Sequence, residues 1–208
     1  MAVARATDFI ITGSADGHVK LWKKMSTGIE FVKHFIAHLG KLHAMEVTPD
    51  GLRLVTSASD RMIKFFEIQS FDMSNMILTE RSASDDLSGF MPGACCWLME
   101  GASKVYSRVA VADMNSTVLR IYRIEDRGSE YVEVAVHVAP VICLALNAKR
   151  GVVVSADSKG VIEYWDSETL EMPSKKKGVM FVRKTDTDLY DLAKVCLLPL
   201  FVNYFPHL

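Results

Sequence analysis

AHLGKLHAMEVTPDGLRLVTSASDRMIKFFEI (37–68) and VHVAPVICLALNAKRGVVVSADSKGVIEYWDS (136–167) lie over one another without a gap. His38 falls on His137, Val55 on Val154, Thr56 on Ser155, Ile63 on Ile162, Phe65 on Tyr164, Phe66 on Trp165 and Glu67 on Asp166. Chance supplies one pair of similar strands easily. It does not readily supply a histidine, an apolar alternation, a hydroxyl, a second alternation, an aromatic and an acid in one order at one spacing. The opening stretch ITGSADGHVKLWKK (11–24) joins the set, with Thr12, Asp16, Val19, Lys20 and Trp22 on Thr56, Asp60, Ile63, Lys64 and Phe66. RVAVADMNSTVLRIYRIED (108–126) is a weaker copy with Tyr122 in the aromatic slot.

Inside each copy the apolar residues alternate, which predicts short strands half-facing a core. In the first copy the spacing predicts strands over 10–14, 18–23 and 29–35, turning through Asp16-Gly17. Glycine accepts the positive φ that such turns need, and aspartate bonds the backbone just ahead of it. Pro49-Asp50-Gly51 does the same in the second copy. Helical periodicity is absent except for one predicted turn over 186–194. Four-stranded units repeating at roughly 40–45 residues are the signature of a propeller blade. The expected fold is therefore all-β: a partial propeller over 1–194 with about four blades and an incomplete ring, then a divergent apolar tail over 195–208. The polar, Ser/Gly-rich stretch 81–93 is expected to be a loop between units.

The 24 Lys and Arg nearly balance the 25 Asp and Glu, which argues against a surface built for nucleic-acid phosphates. No apolar run reaches the ~18 residues of a membrane helix, and the start lacks the pattern of a secretory signal. The four cysteines form no CxxC pair and read as buried, reduced thiols of an intracellular protein.

Trp165-Asp166 is a WD dipeptide, and Trp22-Lys23 and Phe66-Glu67 are degenerate forms of it. With the turn at 47–51 and Ala37-His38 where Gly-His is usual, the chain resembles the WD-repeat family. Longer runs narrow the likeness: 8–24, 28–40, 71–77, 159–166 and 183–194 are similar to the WD-repeat part of nuclear cyclophilins. That resemblance covers residues 6 to 194. It implies a buried hydrogen-bonded chain within each blade, running from loop histidine to strand hydroxyl, turn aspartate and strand tryptophan. The positions it marks are Thr12, Asp16 and Trp22 in the first unit and His38, Thr56, Asp60 and Phe66 in the second. In the last unit they are His137, Ser155, Trp165 and Asp166. Phe66 has no N–H to donate, and Lys159 occupies the turn-aspartate slot of the last unit, with Asp157 two residues earlier. The family's isomerase activity belongs to a separate cyclophilin domain whose arginine and aromatic pocket have no counterpart here.

The resemblance thus implies a protein-interaction scaffold, nuclear with cytoplasm as the alternative, bound to spliceosomal or chromatin-associated proteins. The runner-up is a peptidyl-prolyl isomerase. No catalytic residue, metal or cofactor is expected. His34 and His38 have the spacing of a metal pair but lack an acid or thiol at ligand distance. Cys95 with His137 lacks an orienting third group, and no phosphate-binding glycine loop is present. Lys175-Lys176-Lys177 reads as a solvated linker or an import signal. An open stack of blades is expected to associate with itself through its strand edges.

Overall fold

The computed structural model describes residues 1–79, 89–101, 105–125 and 130–171, and every regular element among them is a strand. The strands form four antiparallel meanders. The first holds β1 (Ala2–Ala4), β2 (Phe9–Gly13), β3 (His18–Met25) and β4 (Gly28–Ile36). The second holds β5 (Leu42–Val47), β6 (Arg53–Ala58), β7 (Met62–Glu67) and β8 (Met73–Leu78). In the third come β9 (Pro92–Glu100), β10 (Val105–Asp113), β11 (Leu119–Arg123) and β12 (Tyr131–Val134). The fourth has β13 (Val141–Asn147), β14 (Val152–Asp157) and β15 (Ile162–Asp166). Strand ends differ from the expected ones by a residue or two, as fraying ends do. One expectation is corrected: Pro92 and Gly93, read as loop, begin β9. The expected helical turn at 186–194, the lysine run and the boundary at 194/195 lie outside the described residues.

The first strand of each meander is its inner edge. β1 lies beside β5, β5 beside β9 and β9 beside β13, so the four sheets follow one another like blades about an axis. Among the described residues β1 and β13 do not meet in this way, and the four sheets do not close a ring. A core cluster fills each junction. Ala4, Ile11, Val19 and Leu21 of the first blade meet Leu54, Phe66 and Ile68 of the second. Val55, Ile63 and Phe65 of the second meet Cys95, Trp97, Val109 and Tyr122 of the third. Cys96, Leu98, Ala110 and Leu119 of the third meet Val153 and Trp165 of the fourth.

Period two explains this arrangement. Successive side chains on a strand point to opposite faces, so Phe65 packs forward and Phe66 backward. Cys95 and Cys96 divide in the same way. Both are free and buried, as the sequence leads one to expect of these two cysteines. Polar stitches cross the seams as well. The Ser57 hydroxyl donates to the Gly93 carbonyl at 2.6 Å, and Arg108 Nη2 donates to the Ser167 carbonyl at 2.9 Å.

The turn at Gly17 shows why glycine stands there. Its φ is +83°, and a Cβ would lie 2.1 Å from the His38 carbonyl oxygen. The Gly17 carbonyl in turn accepts the N–H groups of Ala37 and His38. Gly17→Ala should therefore cost more than the ~1 kcal/mol typical of an incompatible φ, because the loop carrying His38 must move. A urea-unfolding comparison of the two proteins measures it, and an unchanged midpoint would contradict the clash.

Candidate functional site

In the fourth blade Trp165, Ser155, His137 and Asp157 form one continuous chain. An indole N–H only donates, so Ser155 Oγ accepts from Trp165 Nε1 at 3.1 Å. His137 Nδ1 faces Asp157 Oδ2 at 3.2 Å, and a carboxylate only accepts, so a neutral ring carries its proton on Nδ1. Nε2, 2.7 Å from Ser155 Oγ, is then the acceptor of the serine hydroxyl, which also lies 3.4 Å from the Glu163 carbonyl oxygen. The carboxylate thus sets the tautomer. Asp157, at the end of β14, takes the acid's place, and it also accepts the N–H groups of Lys159 and Val161 at 2.9 Å each. Asp166 stands apart from this chain. It caps the turn after β15, accepting from Glu168 N at 2.8 Å and Thr169 N at 3.2 Å.

The second blade holds His38 between Thr56 Oγ1 at 2.8 Å and Asp60, both of whose carboxylate oxygens lie 3.0 Å from Nδ1. Phe66 fills the aromatic position without a donor, so the chain ends at Thr56. Burial lowers the pKa of His38, and the Asp60 charge opposes that shift. In the first blade Trp22 Nε1 donates to Thr12 Oγ1 at 3.0 Å. Asp16 serves its own turn: the Ser14 hydroxyl and then the His18 N–H hold its carboxyl down at about 2. The third blade has an acid that the repeat alignment does not mark. Asp113 at the end of β10 accepts Met91 N at 3.0 Å, Asn115 N at 3.2 Å and the Ser116 hydroxyl at 2.7 Å. Its signal in the sequence is an acid closing an apolar strand, as at Asp157.

A second unmarked residue is Glu46 on β5. Its carboxylate oxygen accepts Trp97 N at 3.2 Å, and its carbonyl accepts the Trp97 indole N–H at 3.1 Å. Glu46 is half-buried as a residue, but its carboxyl end meets Trp97, which is fully buried. Burial pushes that carboxyl up to about 8, against the Trp97 N–H. Burial, and then the Glu46 charge, raise both the Cys95 and Cys96 thiols.

These are scaffold geometries. Cys95 lies in the junction between the second and third blades, while the His137 ring is engaged with Ser155 and Asp157. A raised thiol is a poor nucleophile. His34 stacks on His18 at 4.8 Å while His38 is held by Asp60 and Thr56, so the two do not converge. Among the described residues no group of three or more His, Cys, Asp or Glu side chains is arranged to hold a metal ion. No helix among them is long and apolar enough to cross a membrane.

The network histidines have a consequence for the surface. Each ring is anchored inward, and the next residue points outward: Leu39 is 93% exposed and Val138 is 78% exposed. They are equivalent positions of the repeat. The same loop end of the blades presents Met114, 47% exposed, from the β10–β11 turn.

The profile described as "WD domain, G-beta repeat" matches residues 1–23 and 29–67. The chain is 37% identical over 207 residues to "Peptidylprolyl isomerase domain and WD repeat-containing protein 1" of Mus musculus, covering 98% of this chain and 30% of that protein. The Homo sapiens protein of the same name gives the same identity and coverage. "Peptidyl-prolyl cis-trans isomerase CYP71" of Arabidopsis thaliana is 35% identical over 190 residues, covering 91% of this chain and 28% of that protein. The chain thus spans less than a third of the length of these relatives, and the stretch that it matches is their WD-repeat part.

Proposed function

Because the chain carries WD40 repeats folded as consecutive blades, we propose that it is a protein-interaction scaffold that binds partners through the loop end bearing Leu39, Met114 and Val138. One observation carries this reading. At two equivalent positions a buried histidine is locked into the blade while its neighbour stands out as bare apolar surface. Rigid presentation of apolar side chains lowers the ordering cost of binding, and a few such anchors dominate an interface.

The relatives are named as prolyl isomerases, but the likeness falls on their WD-repeat part, so binding is the reading for this chain. Its resemblance to nuclear cyclophilins favours the nucleus over the cytoplasm, and spliceosomal or chromatin-associated proteins as partners. Self-association through exposed strand edges is a second partner class in this reading.

The test is affinity capture from nuclear extract with the wild type and a Leu39→Asp, Val138→Asp double variant. Proteins retained by the wild type should bind the double variant about tenfold more weakly or worse, with the melting temperature unchanged. Equal retention by both would refute the assignment of this end.

A further inference from the structure

Every blade here has two faces, and the junctions show what each face meets. The backward face presents an aromatic beside an apolar strand partner: Leu54 opposite Phe66, and Val153 opposite Trp165. The forward face presents the alternate pairs: Ile11 opposite Leu21, and Val55 opposite Phe65. At each junction a backward face lies on the forward face of the blade before it. On the first blade Ile10 stands opposite Trp22 in the same register, but no described strand lies on this face. Trp22 is only half-buried and packs edge-on against Phe31 at 5.5 Å. Phe31 is 52% exposed, and Ile29 and Val3 widen the apolar area. At the other end, Val154 opposite Tyr164 and Ala156 opposite Ile162 repeat the forward-face pattern. Ile11, Val55 and Phe65 are fully buried, whereas Val154, Ile162 and Tyr164 are part-exposed.

From these matching registers we infer that two copies of this chain associate head to tail, the Ile10–Trp22 face of one seated on the Val154–Tyr164 face of the other. The chain's own second blade, seated on its first, is the template for the contact. Lys20 on the uncovered face is no obstacle. Its equivalent Lys64 already reaches across a junction, with Nζ 2.7 Å from the Ala37 carbonyl oxygen. The Trp22–Thr12 bond survives burial too, since Trp165–Ser155 is the same pair fully enclosed. Such a contact joins unlike surfaces, which separates it from edge-to-edge pairing of β4 strands. It also stands apart from which outside proteins the loop end binds.

The test is sedimentation velocity on the 208-residue chain over a concentration series. The wild type should pass from monomer to dimer or larger. Trp22→Arg and Tyr164→Arg should each be monomeric alone. Mixed together they should form a dimer and nothing larger, because each retains the face that the other has lost. Phe31→Lys, a change at an exposed site, should weaken association about tenfold and carries the test if either arginine variant loses its cooperative melt. A wild type that stays monomeric throughout would overturn the inference. So would association that survives Trp22→Arg or is left unweakened by Phe31→Lys, which would assign it to strand edges, and so would folded arginine variants that do not combine.

Discussion

Trp165→Ala is expected to lower the unfolding free energy by about 3–5 kcal/mol, the range for deleting a large buried aromatic. Trp165 is 1% exposed and fills the junction against Cys96, Leu98, Ala110 and Leu119. Its loss also removes the donor that orients Ser155 and, through it, His137. Trp165→Phe separates the two contributions. It keeps most of the ring but loses the N–H, so it should cost closer to the ~1 kcal/mol of one hydrogen bond. The second blade already lives with that arrangement, since Phe66 sits where Trp165 does. Trp22→Ala should cost clearly less than Trp165→Ala, because Trp22 is half-buried and meets no neighbouring blade among the described residues. Denaturant unfolding of the three variants checks the order, and equal losses for Trp22→Ala and Trp165→Ala would contradict the open first face.

Glu46 should give the protein an unusual pH dependence. The unfolded chain releases this proton near 4.5, while the folded carboxyl holds it to about 8. Between those values the native state carries the extra proton, so stability falls as pH rises, by up to about 1.4 kcal/mol per unit. His38 acts in the opposite sense. Its folded pKa is lowered from 6.5 by burial, so it contributes stability above the unfolded value that is lost as pH falls toward the folded one. Glu46→Gln should therefore remove the decline toward pH 8 and leave the rise toward 6.5 that His38 supplies. Unfolding midpoints across that range measure both. A decline toward pH 8 that persists in Glu46→Gln would show that another group causes it.

The blade pattern was legible because it is local. Thr12, Thr56 and Ser155 lie in short strands whose alternation fixes their face, and the aromatic ten residues on lies across the same hairpin. Two things were not legible, each for a physical reason. Asp113, like Asp157, closes its strand, whereas Asp60 sits in the turn. A carboxylate reaches the same loop from either place, so a strict column alignment sees Asp157 only as an acid two residues out of place and passes over Asp113. Glu46 depends on Trp97, from a blade built by a distant part of the chain, and no local period reports such a pairing. The repeat also put Trp22 and Trp165 in one class. Their difference lies in whether another sheet covers them, which a residue's own strand does not state.

The vicinal pairs Phe65-Phe66 and Cys95-Cys96 make this architecture sensitive to length more than to side-chain identity. Deleting one residue ahead of either pair would hand each member to the wrong neighbour, trading the contents of two seams at once. Point replacements of similar size at these positions should be absorbed locally, while single-residue insertions within β7 or β9 should be tolerated only if a bulge restores the phase.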